Sequence, residues 1–187
     1  AVLPVMHNPT LGNVGLLMRL WSVVLAGNLI GTAGAAWAFN YMPIFDEPTR
    51  QAFVSIAEDV MKNSPTEMFA NAIISGWLVA TMVWMFPVAG AAKIVVIILM
   101  TWLIALADTT HIVVGSVEIL YLVFNGNLPW SDFIWPFALP TLAGNICGGT
   151  FIFALLSHAQ IRNDMSSKRK AEARAQAAEK GKKADRA

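Results

Sequence analysis

Four apolar runs, residues 16–41, 68–86, 94–124 and 133–157, constrain this chain more than anything else in it. Each reaches the roughly 20 residues that a helix needs to cross the hydrocarbon core of a bilayer. In lipid the backbone must satisfy its own hydrogen bonds, and runs of this length do so as helices. The expected fold class is therefore an all-α polytopic membrane protein. Composition agrees: 56% of the 187 residues are hydrophobic and 13% charged, where soluble domains are about 25% charged. A single cysteine, Cys147, excludes a disulfide scaffold and reads as a small apolar packing residue. No charged segment followed by a short apolar core opens the chain, so no signal peptide is expected. Ala1 stands where a natural start would carry Met.

The formal net charge of +1 conceals a division. After His158 nine basic residues stand against four acidic ones, a +5 tail; residues 1–158 hold four basic and eight acidic residues, a −4 body. Basic residues gathered in a terminal tail do not make a basic binding face, so nucleic acid is excluded as a partner. The expected domains are thus a transmembrane part, 1–158, and a basic tail, 159–187, with weak attraction to anionic lipid. Positive charge marks the cytoplasmic side. With the tail in the cytoplasm, four alternating spans put Arg19 and Lys93 inside, and the acidic links 42–66 and 125–132 outside.

Local signals mark the span ends. Ser64-Pro65-Thr66-Glu67 offers an N-cap serine, a proline at the first helical position and a glutamate at the third. Within the 42–66 link, Ala52, Phe53, Ile56, Ala57, Val60 and Met61 recur at helical spacing. They predict a short amphipathic helix, lying either at the membrane interface or as a cap packed on the protein.

An internal repeat sharpens the architecture. Leu25-Ala26-Gly27-Asn28-Leu29-Ile30-Gly31-Thr32 in the first span matches Leu142-Ala143-Gly144-Asn145-Ile146-Cys147-Gly148-Gly149 in the fourth, 117 residues on. The topology runs these two spans in opposite directions, as in inverted-repeat transporters and channels. Subtracting the offset starts the first repeat about 50 residues ahead of Ala1. The chain then reads as the C-terminal two thirds of a six-span protein, with four of six helices present. Gly27 with Gly31, and Gly144 with Gly148, suit close helix packing. Asn28 and Asn145 read either as helix–helix hydrogen-bonding groups or as pore-lining groups.

The third span is too long for one straight crossing, and its middle is polar: Ala107-Asp108-Thr109-Thr110-His111, then Gly115, Ser116 and Glu118. Ionisable groups at mid-membrane are expensive unless buried in protein or facing a water-filled path. A helix broken into two halves is the expectation, with the second half starting after Thr109-Thr110, where its N-terminus favours an anion. His111 sits at the centre of the break, and its charge changes near physiological pH; a buried neutral histidine bonded to a carbonyl is the plainer reading. Haem wants paired histidines at one depth, and His7 and His158 lie outside the spans. No metal-ligand spacing, Ser-His-Asp pattern or phosphate loop stands out, so neither an enzyme nor a cofactor is expected.

With its broken span around His111, the Gly27-Asn28 pair, the 144–149 motif and Gly76-Trp77-Leu78-Val79-Ala80 through Val83-Trp84, residues 1–158 resemble the formate/nitrite transporter family. The resemblance implies a pentameric inner-membrane channel with an aquaporin-like protomer that passes small monovalent anions. In it the central histidine and an asparagine of the last helix, here His111 and Asn145, line the pore. Lys62 takes the place of a lysine that precedes the family's fourth helix on the outer side. The chain departs from the family at Gly76, where asparagine is usual, and after His111, where Ile112-Val113-Val114-Gly115 replaces Ser-Val-Ala-Asn; it reads as a divergent branch.

The functional expectation is a membrane channel for small anions or their weak acids, multi-pass in a bacterial inner membrane with the C-terminus cytoplasmic. Its candidate pore residues are His111, Asn145, Asn28, Thr110 and Lys62. Partners are the permeant, the bilayer and further copies of the chain. A non-transporting scaffold or sensor that kept the fold is the alternative.

Overall fold

The computed structural model describes Val5 and residues 10–152. The tail, His7, His158 and the last residues of the fourth expected span lie outside the described residues. Within them every regular element is helical: α1 Leu11–Tyr41, α2 Glu47–Met61, α3 Pro65–Ala89, α4 Lys93–Leu106, α5 Ile112–Phe124, α6 Trp130–Asp132 and α7 Leu139–Ile146. Two stretches, Leu11–Tyr41 and Pro65–Leu106, are long and apolar enough to cross a membrane; Ile112–Phe124 is a shorter apolar helix.

The helix starts follow from capping chemistry. The Thr10 side chain accepts from Asn13 N at 3.2 Å and carries α1 a turn and a half beyond the expected start. Asp46 caps α2 by accepting from Thr49 N at 3.2 Å, ahead of Pro48 in the first turn. Hydrogen bonds from Thr49, side chain before backbone, hold the Asp46 carboxyl below the usual carboxylate range. The capping box predicted at Ser64 forms in full: Ser64 Oγ accepts from Glu67 N at 3.3 Å, and Glu67 Oε2 accepts from Ser64 N at 2.8 Å. Each cap satisfies amide donors that the first turn leaves unpaired.

Helix α3 runs to Ala89, with Pro87 in its last turns, and a three-residue 3₁₀ turn, Gly90–Ala92, joins it to α4. Gly90 has φ +50°, a conformation L side chains rarely adopt, and α4 folds back onto α3 from there. The third span is broken as expected. At about 1.5 Å per residue, α4 and α5 are each roughly 20 Å long, two thirds of a membrane thickness. Between them residues 107–111 leave the helix, and Asp108 adopts φ +49°. The Thr109 hydroxyl and backbone N–H both donate to Ile104 O, at 3.0 and 3.2 Å, closing α4.

The fourth span differs from the continuous helix expected. It opens with α6 and passes through a π-helical segment, Phe133–Ala138, interrupted at Trp135 (φ −139°, ψ 123°). The cause is Pro136: its ring disfavours helical backbone in the preceding residue, and it has no N–H to donate. Helix α7 follows, then a second π-helical segment, Cys147–Ile152.

Helix α5 is the hub. Ile112, Ser116, Ile119, Leu120, Leu122 and Val123 are buried. Helix α1 packs along it, contributing Ala36 to a cluster with Leu120 and Tyr121. Helix α2 sits on it through fully buried Ala57, with Val54, Val60 and Met61 against the same core as Met68, Ile119 and Phe137, while Ile56 stays exposed. The amphipathic helix is thus a cap on the protein. Phe45 and Phe53 (centroids 5.0 Å apart) and Phe53 and Tyr121 (5.7 Å) extend that cap with edge-to-face ring contacts.

Helix α7 lies on α3 at backbone distance. A Cβ added to Gly144 would meet Phe69 O and Ala72, one on Gly148 would meet the Ile73 backbone, and one on Gly76 would meet the backbone of Asn145. Gly27 and Gly31, their sequence equivalents in α1, face nothing within 4 Å. Large apolar side chains cover the outside, among them Val88, Ile94, Val95, Ile98, Trp84, Trp102 and Leu106, far more than a soluble surface leaves in one region.

Candidate permeation site

The break between α4 and α5 is built from buried polar groups that spend their hydrogen bonds on backbone. Asn145 of α7 accepts from Ile112 N at 2.9 Å and donates to Ala72 O at 2.8 Å and to Ser75 Oγ at 3.0 Å. One side chain therefore ties α7, α3 and the head of α5 together. Ser75 in turn donates to Thr110 O, and the Thr110 hydroxyl donates to Met68 O at 2.9 Å. Ser75, Thr110 and Ser116 are buried, and Ser116 Oγ donates back to Ile112 O. A buried backbone group without a partner costs about 1–3 kcal/mol, so this network is what allows a helix to break at this depth.

His111 is the N-cap of α5. Its Nδ1 accepts from Val113 N at 3.3 Å. An acceptor nitrogen carries no proton, so the neutral ring bears its proton on Nε2. The ring is half-buried, unlike Thr110 beneath it. From His111 the open stripe of α5 continues through Val114, 56% exposed, and half-buried Glu118 to Asn125 at the C-cap. The spacings of three, four and seven keep these residues on one helix face. Glu118 makes no hydrogen bond or ion pair with any described residue. At the far end of the stripe lies a pocket of about 240 Å³ lined by Glu47, Arg50, Gln51, Val54, Tyr121 and Asn125.

Of the residues singled out from sequence, His111, Thr110 and Asn145 come together at the break. Asn28 and Lys62 share no hydrogen bond with them. Asn28 lies on the exposed side of α1 beside Gly27 and Gly31. Lys62 is the exposed C-cap of α2, ion-paired with Asp59, and that hydrogen bond and charge raise its ammonium pKa. Two participants went unnoticed in the sequence. Ser75 completes the Asn145 network; its signal was a small polar residue beside Gly76 in an apolar span. Arg50 donates to Asn40 O at 3.1 Å and to Met42 O at 3.0 Å. It pays the last carbonyls of α1 with charge-assisted bonds and forms one wall of the pocket.

A polar break crossing an otherwise apolar helical body, with a histidine at its head, is the arrangement that the comparison with known proteins meets. The profile described as Formate/nitrite transporter matches residues 1–159. The chain belongs to the formate/nitrite transporter family. Within that family it is similar to Inner membrane protein YfdC of Escherichia coli (strain K12), with 84% identity over 177 residues. The match covers 95% of this chain and 57% of that protein, so the chain spans little more than half the length of its family relative. No solved structure gives a significant match.

Proposed function

We propose that this chain is part of an inner-membrane channel that passes small monovalent weak acids, formate- or nitrite-like, with His111 exchanging a proton with the permeant. Family membership supports a membrane transporter rather than an enzyme. The observation that carries the site is His111 itself. It heads a broken helix, its Nδ1 is occupied by Val113 N–H, and its remaining nitrogen is available on the open stripe of α5. Moving a bare anion through an apolar constriction costs several kcal/mol, so crossing as the neutral acid is the easier route.

In this reading Asn145 acts by holding the break in place, Thr110 fixes its lower edge, and Lys62 draws anions toward the outer face. The repeat supports an inverted, aquaporin-like protomer. The glycine face of α1, open here, is the counterpart of the α7 face that α3 fills, and the remainder of the full-length protein covers it. Pentamers and a cytoplasmic C-terminus belong to the same proposal. The test is uptake of labelled formate or nitrite by the full-length protein in liposomes. His111→Phe is expected to lower the flux and remove its pH dependence. Transport at the wild-type rate and profile in that variant excludes proton sharing, and absence of flux in the wild type leaves the scaffold or sensor.

A further inference from the structure

We infer that the cavity between α2 and the C-terminal end of α5 is a binding site for a small zwitterion, a molecule with a primary ammonium and an oxyanion on one short skeleton. The inference stands apart from the pore reading and holds or falls without it. The cavity measures about 240 Å³ and is lined by Glu47, Arg50, Gln51, Val54, Tyr121 and Asn125. Helices α2 and α5 pack directly on each other, so the contacts that seat the α2 cap also hold these walls.

Three observations select the ligand. Glu47 and Arg50 stand three residues apart on α2, a spacing at which opposite charges ordinarily meet, yet they form no ion pair with each other or with any described residue. Arg50 is drawn instead to the end of α1, where it donates to Asn40 O at 3.1 Å and Met42 O at 3.0 Å. Those carbonyls fix the guanidinium but do not neutralise it, and three of its five N–H donors stay unused. Glu47, for its part, accepts from the neutral Gln51 amide at 3.3 Å. The third observation is Tyr121. It is 3% exposed and wedged edge-to-face against Phe53, and its hydroxyl has no hydrogen-bond partner among the described residues. Nor is that hydroxyl sealed in: the sealed, unpartnered side-chain oxygen among those residues is the one of Thr141. The phenol therefore opens onto the cavity it lines.

A bare anion on Arg50 meets the Glu47 carboxylate, and a bare cation on Glu47 meets the guanidinium. A neutral molecule leaves both charges as they are. A zwitterion answers both at once, its oxyanion on Arg50 and the Tyr121 O–H and its ammonium on Glu47, through charge-assisted hydrogen bonds. The Gln51 and Asn125 amides can serve either end, and Val54 gives a short side chain an apolar wall. Because Arg50 and Tyr121 are already fixed, little ordering is left to offset binding. Two sources share this chemistry: a free amino acid and the headgroup of phosphatidylethanolamine.

The experiment titrates the full-length protein in detergent by calorimetry with L-alanine, with propionate, which lacks the ammonium, and with ethylamine, which lacks the carboxylate. L-Alanine is expected to bind about tenfold or more tightly than either fragment. Glu47→Gln and Tyr121→Phe keep size and leave Arg50 on α1; each is expected to weaken L-alanine binding about tenfold. Native mass spectrometry of protein taken from mixed phosphatidylethanolamine and phosphatidylglycerol membranes reads the lipid arm. Selective retention of phosphatidylethanolamine, lost in Glu47→Gln, with no heat from L-alanine, supports the site and assigns it to the headgroup. Propionate binding as tightly as L-alanine overturns the inference, as does zwitterion binding that stays within twofold of wild type in either variant. A full-length protein that takes neither zwitterion overturns it too, and that is the result if another part of the full-length chain fills the cavity.

Discussion

Asn145 shows how much one side chain decides here. Its bonds at 2.8–3.0 Å reach α3 twice and the first amide of α5 once. Asn145→Ala strands Ile112 N–H and Ala72 O in a buried site, and we expect a loss of about 1–3 kcal/mol. Asn145→Asp keeps the acceptor for Ile112 but turns a carboxylate on Ala72 O, and is expected to do no better. Thermal unfolding of the full-length protein in detergent reads both; an unshifted midpoint for Asn145→Ala removes the anchoring role. From sequence, Asn145 was visible as an asparagine needing partners, but the partners were not, because Ala72 O and Ile112 N belong to every residue type alike. Arg50 was invisible for the same reason. Asp46 gives a pH-dependent case. Its carboxyl is held low in the folded chain, so its contribution is present above the unfolded value and is lost as pH falls through the lower folded one. Amide exchange at Thr49 is expected to match wild type minus a constant in Asp46→Ala at neutral pH, with the difference vanishing only in strong acid.

At the scale of elements, punctuation was legible and irregularity was not. Ser64 with Glu67 announces a helix start through chemistry confined to four residues, and the structure forms that cap; the Asp46 cap of α2, ahead of Pro48, was not read from the sequence. The break around His111 was equally plain, because ionisable residues interrupt an apolar run. The π-helical turns and the kink at Trp135 were missed, although Pro136 and Pro140 stood in view: the hydropathy of 133–157 hides a backbone that loses two donors. Ser64→Ala is expected to cost about 1 kcal/mol of stability, measured by denaturation in mixed micelles, with Ser64→Asp close to wild type. Gly148→Ala pushes a methyl into the Ile73 backbone and is expected to cost about 1–3 kcal/mol. Gly34→Ala, with nothing within 4 Å, is the control, and equal effects from the two dismiss the close contact.

The whole molecule carries the orientation. In a Cys147→Ser background, a cysteine at Asn125 is expected to react with a membrane-impermeant maleimide added to spheroplasts, and one at Ala91 only after permeabilisation; the reverse pattern inverts the proposed topology. The two faces of the repeat look alike in sequence and differ in structure: α3 fills the face of Gly144 and Gly148, whereas no described residue comes within 4 Å of a Cβ built on Gly27 or Gly31. The seam between α3 and α7 has a mechanical meaning. Glycines at 76, 144 and 148 let backbone rest on backbone, so a slip of about one helical turn along the seam drives Thr141 and Asn145 into space that holds only a hydrogen atom. Such a weld does not slide. Any opening and closing in this half of the protein is left to pivots, and the chain supplies two places where backbone is already bent: residues 107–111 and Trp135.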